Sequence, residues 1–119
     1  MNPQQPPGLE EIRQAQQRIA PHVHRTPVFS SRLLDEHCGC EILFKAENLQ
    51  KVGAFKARGA SNAVFSLDDE QAAGGVATHS SGNHGAALAM AATRRGIESH
   101  IVMPNNAPAV KKAAIAGYG

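Results

Sequence analysis

Aromatic mass is what this sequence has least of: no tryptophan, one tyrosine and four phenylalanines among 119 residues. Much of its 42% hydrophobic share is alanine, so its core must close over small side chains. Cysteine is equally scarce. Cys38 and Cys40 are the whole complement, and a pair two residues apart is no disulfide framework. Neither sign of charge dominates, and a formal net charge of +2 is too small to argue for a nucleic-acid partner. No apolar run approaches a membrane span; the longest small-residue run, Ala86 to Ala92, sits among polar residues. The start, Met-Asn-Pro-Gln-Gln-Pro-Pro, lacks the basic head and apolar stretch of a secretory signal. These absences predict a soluble, cytoplasmic chain with reduced thiols and no membrane association. The apolar content is still high enough to exclude wholesale disorder.

Periodicity supplies the elements. Residues 1 to 7 read as a frayed Pro/Gln-rich leader. Leu9, Ile12, Ala15 and Ile19 recur at helical spacing and stop before Pro21, which predicts a first amphipathic helix. A short extended piece follows at Pro27 to Phe29. Ser30 or Ser31 then caps a helix through Leu33 and Leu34 that Gly39 ends. Glu41 to Glu47 alternates like a strand, Asn48 to Gly53 reads as a loop, and a helix runs from about Ala54 to Leu67. Asp68 to Gly75 is polar and ends in a glycine pair, a natural boundary. The last third predicts a strand at Val76 to His79, a helix from about Asn83 to Arg95 stopped by Gly96, a strand at Ser99 to Met103, and a helix begun by Asn106 or Ala107. Strand, helix, strand, helix is a parallel βαβ unit with the next helix attached.

Two segments carry chemistry. In Lys51-Val-Gly-Ala-Phe-Lys56-Ala-Arg-Gly-Ala60, Lys56 opens a helix beside a phenylalanine. That setting favours the neutral, nucleophilic amine, which can condense with an aldehyde. A solvated lysine on a helix face is the plain alternative. In Thr78-His-Ser-Ser81-Gly-Asn83-His84-Gly85, two glycines allow a tight strand-to-helix turn. The free N–H groups of the helix start suit a carboxylate or phosphate. The alternative is an ordinary turn capped by Ser81 or Asn83. His37-Cys38-Gly39-Cys40 lacks a second ligand pair and reads as a helix end with incidental thiols, so no metal site is expected. The Ala86 to Ala92 stretch reads as close helix–sheet packing.

Together with Gly59-Ala60, Ile101-Val-Met-Pro104 and Lys111-Lys112, these segments resemble the fold type II pyridoxal-phosphate enzymes, in the threonine/serine dehydratase and serine racemase branch. The resemblance runs from about Arg25-Thr26-Pro27-Val28 to Gly119. A cysteine synthase matches less well, because His84 follows Asn83 and the lysine motif is of the dehydratase kind. The resemblance implies an α/β, parallel-sheet architecture that is the N-terminal portion of such an enzyme, open and incomplete. Residues 1–67 would belong to the large, cofactor domain and residues 75–119 to the small domain that closes on substrate.

The resemblance also implies roles. Lys56 would carry pyridoxal phosphate and move the Cα proton, Phe55 would lie beside the cofactor ring, and Asn83 would bond the ring hydroxyl. Ser80, Ser81, Gly82, Asn83 and His84 would grip the substrate carboxylate, with Ser81 the second acid/base that racemisation needs. The implied reaction is β-elimination of a small hydroxy-amino acid to a 2-oxo acid and ammonia. The alternatives are a serine racemase-type reaction, or a truncated, catalytically incompetent chain that acts only by association. The family's Gly-rich phosphate cradle has no equivalent in these 119 residues, so the isolated chain is expected to turn over weakly or not at all. A homo-oligomer or a complementing C-terminal part is the expected partner.

Overall fold

Helix α1 (Leu9–Ile19) forms where the apolar spacing predicts it, with Glu10 and Glu11 in its first turn and Arg18 in its last, a charge order that suits the helix dipole. This is a computed structural model describing residues 6–119, so the expected leader lies outside the described residues as far as residue 5. Strand β1 (Val28–Ser30), helix α2 (Arg32–Cys38) and strand β2 (Leu43–Lys45) follow. Gly39 ends α2 in the left-handed conformation, φ 68°, as a C-terminal glycine should. Ser31 occupies the cap position of α2 without donating or accepting a side-chain cap bond.

β1 and β2 run antiparallel, with Phe29 opposite Phe44. The strand expected over Glu41 to Glu47 is shorter than its alternation suggested. At its start Asp35 Oδ1 accepts the Ile42 amide at 2.8 Å, and at its end the backbone coils into a 3-10 turn, Glu47–Leu49. The expected loop is thus largely two 3-10 turns, the second being Lys51–Gly53. Helix α3 (Lys56–Ser66) starts two residues later than predicted, which makes Lys56 its first residue.

The polar stretch after α3, expected only as a boundary, holds a short helix, α4 (Asp69–Ala73). Its warrant is a capping box: Asp68 Oδ1 accepts the Gln71 amide at 2.8 Å and Gln71 Oε1 accepts the Asp68 amide at 3.1 Å. Gly75 then turns the chain at φ +73°, where a Cβ would stand 2.7 Å from the Glu98 carbonyl oxygen. Strand β3 (Val76–His79), helix α5 (Asn83–Arg95), strand β4 (Ser99–Val102) and helix α6 (Ala109–Ala116) complete the chain. β3 and β4 pair in parallel, Thr78 opposite Ile101, as the βαβ reading requires.

The core sits where α3 crosses α5. Ala60, Val64, Ala87, Leu88 and Ala91 are its buried centre, with Val52, Val76, Ile97 and Ile101 packed around them. Small side chains let the two helices approach closely, so the alanine-rich composition is spent on one helix pair. Arg95 at the end of α5 donates to the carbonyls of Val64 and, at 3.2 Å, Asp68. Those bonds tie α5 to the C-terminal end of α3.

Candidate functional site

The strand-to-helix turn after β3 is built by its own backbone. The Ser80 amide donates to the Val102 carbonyl at 3.0 Å, extending the parallel ladder one residue past β3. Ser80 Oγ accepts the amides of Gly82 at 3.3 Å and Gly85 at 3.1 Å. The cap of α5 therefore comes from Ser80 and not from Ser81 or Asn83, because only a side chain still anchored in the sheet stands behind the turn. Gly85 is required by close approach: a Cβ there would lie 2.8 Å from the Ser80 carbonyl oxygen and 3.0 Å from Ile101 Cγ2.

With Ser80 facing back into the turn, Ser81, Gly82 and Asn83 line a cavity of about 290 Å³. Its other walls are Val52 from the second 3-10 turn, Ala86, and Lys111, Ala114, Ile115 and Tyr118. His84 is exposed on the first turn of α5 and is not among these lining residues. Val52, Lys111 and Tyr118 were not singled out as site residues from sequence. Val52 adopts φ 57°, ψ 13°, a left-handed conformation uncommon for a β-branched side chain.

Lys56 and Phe55 open helix α3. Phe55 is the N-cap of α3 and makes no side-chain cap bond. Its ring is exposed, and Lys56 Nζ lies 5.1 Å from the ring centroid. Neither residue lines the cavity beside Ser81. The expected site residues thus form two groups: a lysine–phenylalanine pair opening α3, and a turn opening α5. The buried contact of α3 with α5 joins them.

A polar network behind the lysine escaped sequence reading. Glu47 accepts Arg58 Nε at 2.8 Å and Nη2 at 2.7 Å, and Thr26 Oγ1 donates to it at 2.6 Å. The Arg58 guanidinium holds the Glu47 carboxyl down at about 2, and Glu47 in turn raises Arg58. Next to it, buried Gln50 accepts the His24 amide and returns a bond to the His24 carbonyl, both at 2.8 Å. Burial lowers Lys51 from its ordinary value, with Arg94 adding to the effect. Burial likewise lowers His22, whose ring stacks on Phe65 at 3.5 Å.

Volume alone points elsewhere. A larger groove, about 710 Å³, runs between α1 and α3 past Ile12, Ile19, Arg25 and Asn62. None of the expected site residues lines it, and its Lys45 amine is engaged by the Thr26 carbonyl at 2.6 Å. Among the described residues no group of three His, Cys, Asp or Glu side chains stands together to hold a metal, and no helix is long and apolar enough to cross a membrane.

A family model described as pyridoxal-phosphate dependent enzyme matches residues 19–119. The chain is 57% identical over 111 residues to a serine racemase of Oryza sativa subsp. indica, covering 93% of this chain and 33% of that protein. It is 54% identical over 113 residues to a beta-hydroxyaspartate dehydratase of Paracoccus denitrificans, covering 95% and 36%. Among solved structures it superposes on a T.th. threonine deaminase with a TM-score of 0.83 at 45% identity, covering 95% of this chain and 35% of that one. The α/β arrangement is that of the N-terminal portion of the fold type II enzymes. The chain spans about a third of the length of the curated relatives it matches.

Proposed function

The chain belongs to the pyridoxal-phosphate dependent enzyme family, and from that premise we propose that it is the N-terminal part of a threonine/serine dehydratase-type ammonia-lyase. Its reaction is the β-elimination of a small hydroxy-amino acid to a 2-oxo acid and ammonia. The observation that carries the reading is a primary amine, Lys56 Nζ, on the first residue of α3 beside the Phe55 ring. The names of two relatives, a beta-hydroxyaspartate dehydratase and a threonine deaminase, support the same chemistry.

The residues present fit the aldehyde end of pyridoxal phosphate. An exposed primary amine stands against an aromatic face, and a primary amine is the group that condenses with an aldehyde. Bound there, the cofactor supplies an electron sink for charge developing at the substrate Cα. Lys56 is assigned to hold it and to move the Cα proton, Phe55 to flank its ring and Asn83 to bond the ring hydroxyl. Ser80, Ser81, Gly82, Asn83 and His84 are assigned to the substrate carboxylate, received by backbone N–H groups at the start of α5. Ser80 Oγ, already engaged by the Gly82 and Gly85 amides, serves by keeping that turn in shape.

The division into a large-domain part, residues 1–67, and a small-domain part, residues 75–119, is retained. It is supported by two separate two-stranded sheets, one on each side of Asp69–Ala73. Turnover by these residues alone is weak, since among the described residues none forms a Gly-rich phosphate cradle. The protein acts in the cytoplasm as a homo-oligomer or with a complementing C-terminal part.

A racemase is the second reading, favoured by the serine racemase among the relatives and by Ser81 on the cavity wall, where a hydroxyl can act as a second acid/base. Mixing the chain with pyridoxal phosphate and recording the visible absorbance of bound cofactor tests the assignment. Lys56→Ala abolishes that absorbance if the reading is right; equal spectra for both proteins defeat it. Chiral analysis after incubation with L-serine separates oxo-acid release from D-serine formation.

A further inference from the structure

Helix α3 begins against its own electrostatics. Its first turn contains Lys56 and Arg58 and no acidic residue, whereas the N-terminal end of a helix favours negative charge. Phe55, at the cap, offers no side-chain bond to the free amides. What holds this end in place comes from outside the helix.

The outside anchor is Glu47, eleven residues earlier. Its carboxylate takes Arg58 through two parallel bonds, 2.8 Å to Nε and 2.7 Å to Nη2, a fork geometry that fixes orientation as well as distance. Thr26, itself buried, is wedged in the same contact. Its hydroxyl donates to Glu47 at 2.6 Å and accepts Arg58 Nη2 at 3.2 Å, while its carbonyl receives Lys45 Nζ at 2.6 Å. The ion pair therefore clasps both ends of the segment from Glu47 to Arg58. Inside that segment, Gln50 is bonded to His24 and the chain turns through left-handed Val52 and Gly53 before reaching Lys56.

We propose that Glu47, acting through Arg58, is the positioning residue for Lys56, and that this clasp selects Lys56 from the chain's other lysines as the amine that takes the cofactor aldehyde. The inference rests on the proposed function for its cofactor and adds a residue to which no role has been given. Because Arg58 is paired with Glu47, the guanidinium adds no net positive charge beside the Lys56 amine. Arg58 and Lys56 share the first turn of α3, so anchoring Arg58 fixes the stretch of backbone from which Lys56 projects.

The test is selective labelling. The purified chain is treated with pyridoxal phosphate, reduced with borohydride, and digested for peptide mass spectrometry, with hydrogen exchange measured in parallel. In the parent chain the label concentrates on Lys56 relative to Lys45, Lys51, Lys111 and Lys112. Glu47→Gln lowers that preference by roughly 10- to 100-fold, the scale on which small misplacements of a reacting group are felt. It also speeds exchange at residues 51–58 while α5 stays protected. Arg58→Lys, which keeps the charge but loses the fork, retains part of the preference. Should the parent chain label its lysines indiscriminately, the functional reading itself fails. If the parent is selective and Glu47→Gln is equally so, the clasp has no positioning role and the inference alone is overturned. Where Glu47→Gln loses protection in α5 as well, Arg58→Lys and Thr26→Val decide the matter on the same readout.

Discussion

The pairing of α3 with α5 and the pairing of β1 with β2 are built on opposite principles. Along α3 and α5, Ala57, Val64, Ala87, Ala89, Ala91 and Ala92 are fully buried, and helices carrying such small side chains pack at short range. In the strand pair every residue is exposed, with Phe29 54% and Leu43 63% accessible. A strand normally buries one face, because successive side chains point to opposite sides. Here both faces are open, so the apolar side chains of β1 and β2 contribute little stability, and the backbone ladder carries the pair. Lys56 sits close to the boundary between these regimes, at the exposed start of the helix whose later turns are buried.

That contrast can be broken most severely at Leu88, 7% exposed in the α3–α5 core. Leu88→Ala is expected to destabilise the chain by about 2–5 kcal/mol through lost burial and a residual cavity, measured by urea unfolding. Next comes Gly85→Ala, whose new Cβ would press on the Ser80 carbonyl, Ile101 and Ile115. Overpacking of that kind costs about 1–3 kcal/mol, and the loss should appear in the same unfolding curves. A smaller cost, about 1 kcal/mol, is expected for Asp68→Ala, which removes the cap of α4. The smallest effect belongs to the strand pair. Phe44→Ser, at a position 43% exposed, should change stability by no more than about 0.5 kcal/mol; a loss as large as that at Leu88 would mean the two regions do not differ in kind.

The Glu47–Arg58 pair supplies a pH test that sharpens the same comparison. Glu47 has its pKa depressed from 4.5 to about 2 by Arg58. A depressed carboxyl adds stability that is complete above its unfolded value and fades as pH falls through the folded one. The stability gap between the parent chain and Glu47→Gln should therefore be constant above about pH 5.5 and shrink as pH drops from there toward 2. Unfolding curves collected across that range check the sign. A gap that widens on acidification would contradict it.

Much of the fold was legible because its signals are local. Gly39 and Gly96 end helices in the left-handed conformation, and β3, α5 and β4 lie where periodicity put them, β4 closing one residue earlier than expected. Less legible were features that depend on partners far along the chain. The capping box at Asp68 and Gln71 was written in the sequence but masked by the glycine pair behind it. Ser80, not Ser81, caps α5 because the sheet ladder continues one residue past β3, which no spacing within the motif reveals. Glu47 and Arg58 look like ordinary surface charges eleven residues apart until a 3-10 turn and a helix start bring them together.

Sequence by itself determined the small-residue core, the strand–helix–strand unit, and the residue types of the proposed chemistry: a lysine beside a phenylalanine, and a Ser-Ser-Gly-Asn-His-Gly turn. Those properties follow from short-range sterics, periodicity and side-chain chemistry, which neighbouring residues decide among themselves. Tertiary structure alone decided which serine caps the turn, which carboxylate holds the start of α3, and that Val52 faces Ser81 and Asn83 across a cavity. Those are meetings between distant segments, set by how the helices and sheets pack, and a chain of 119 residues carries no local mark of them.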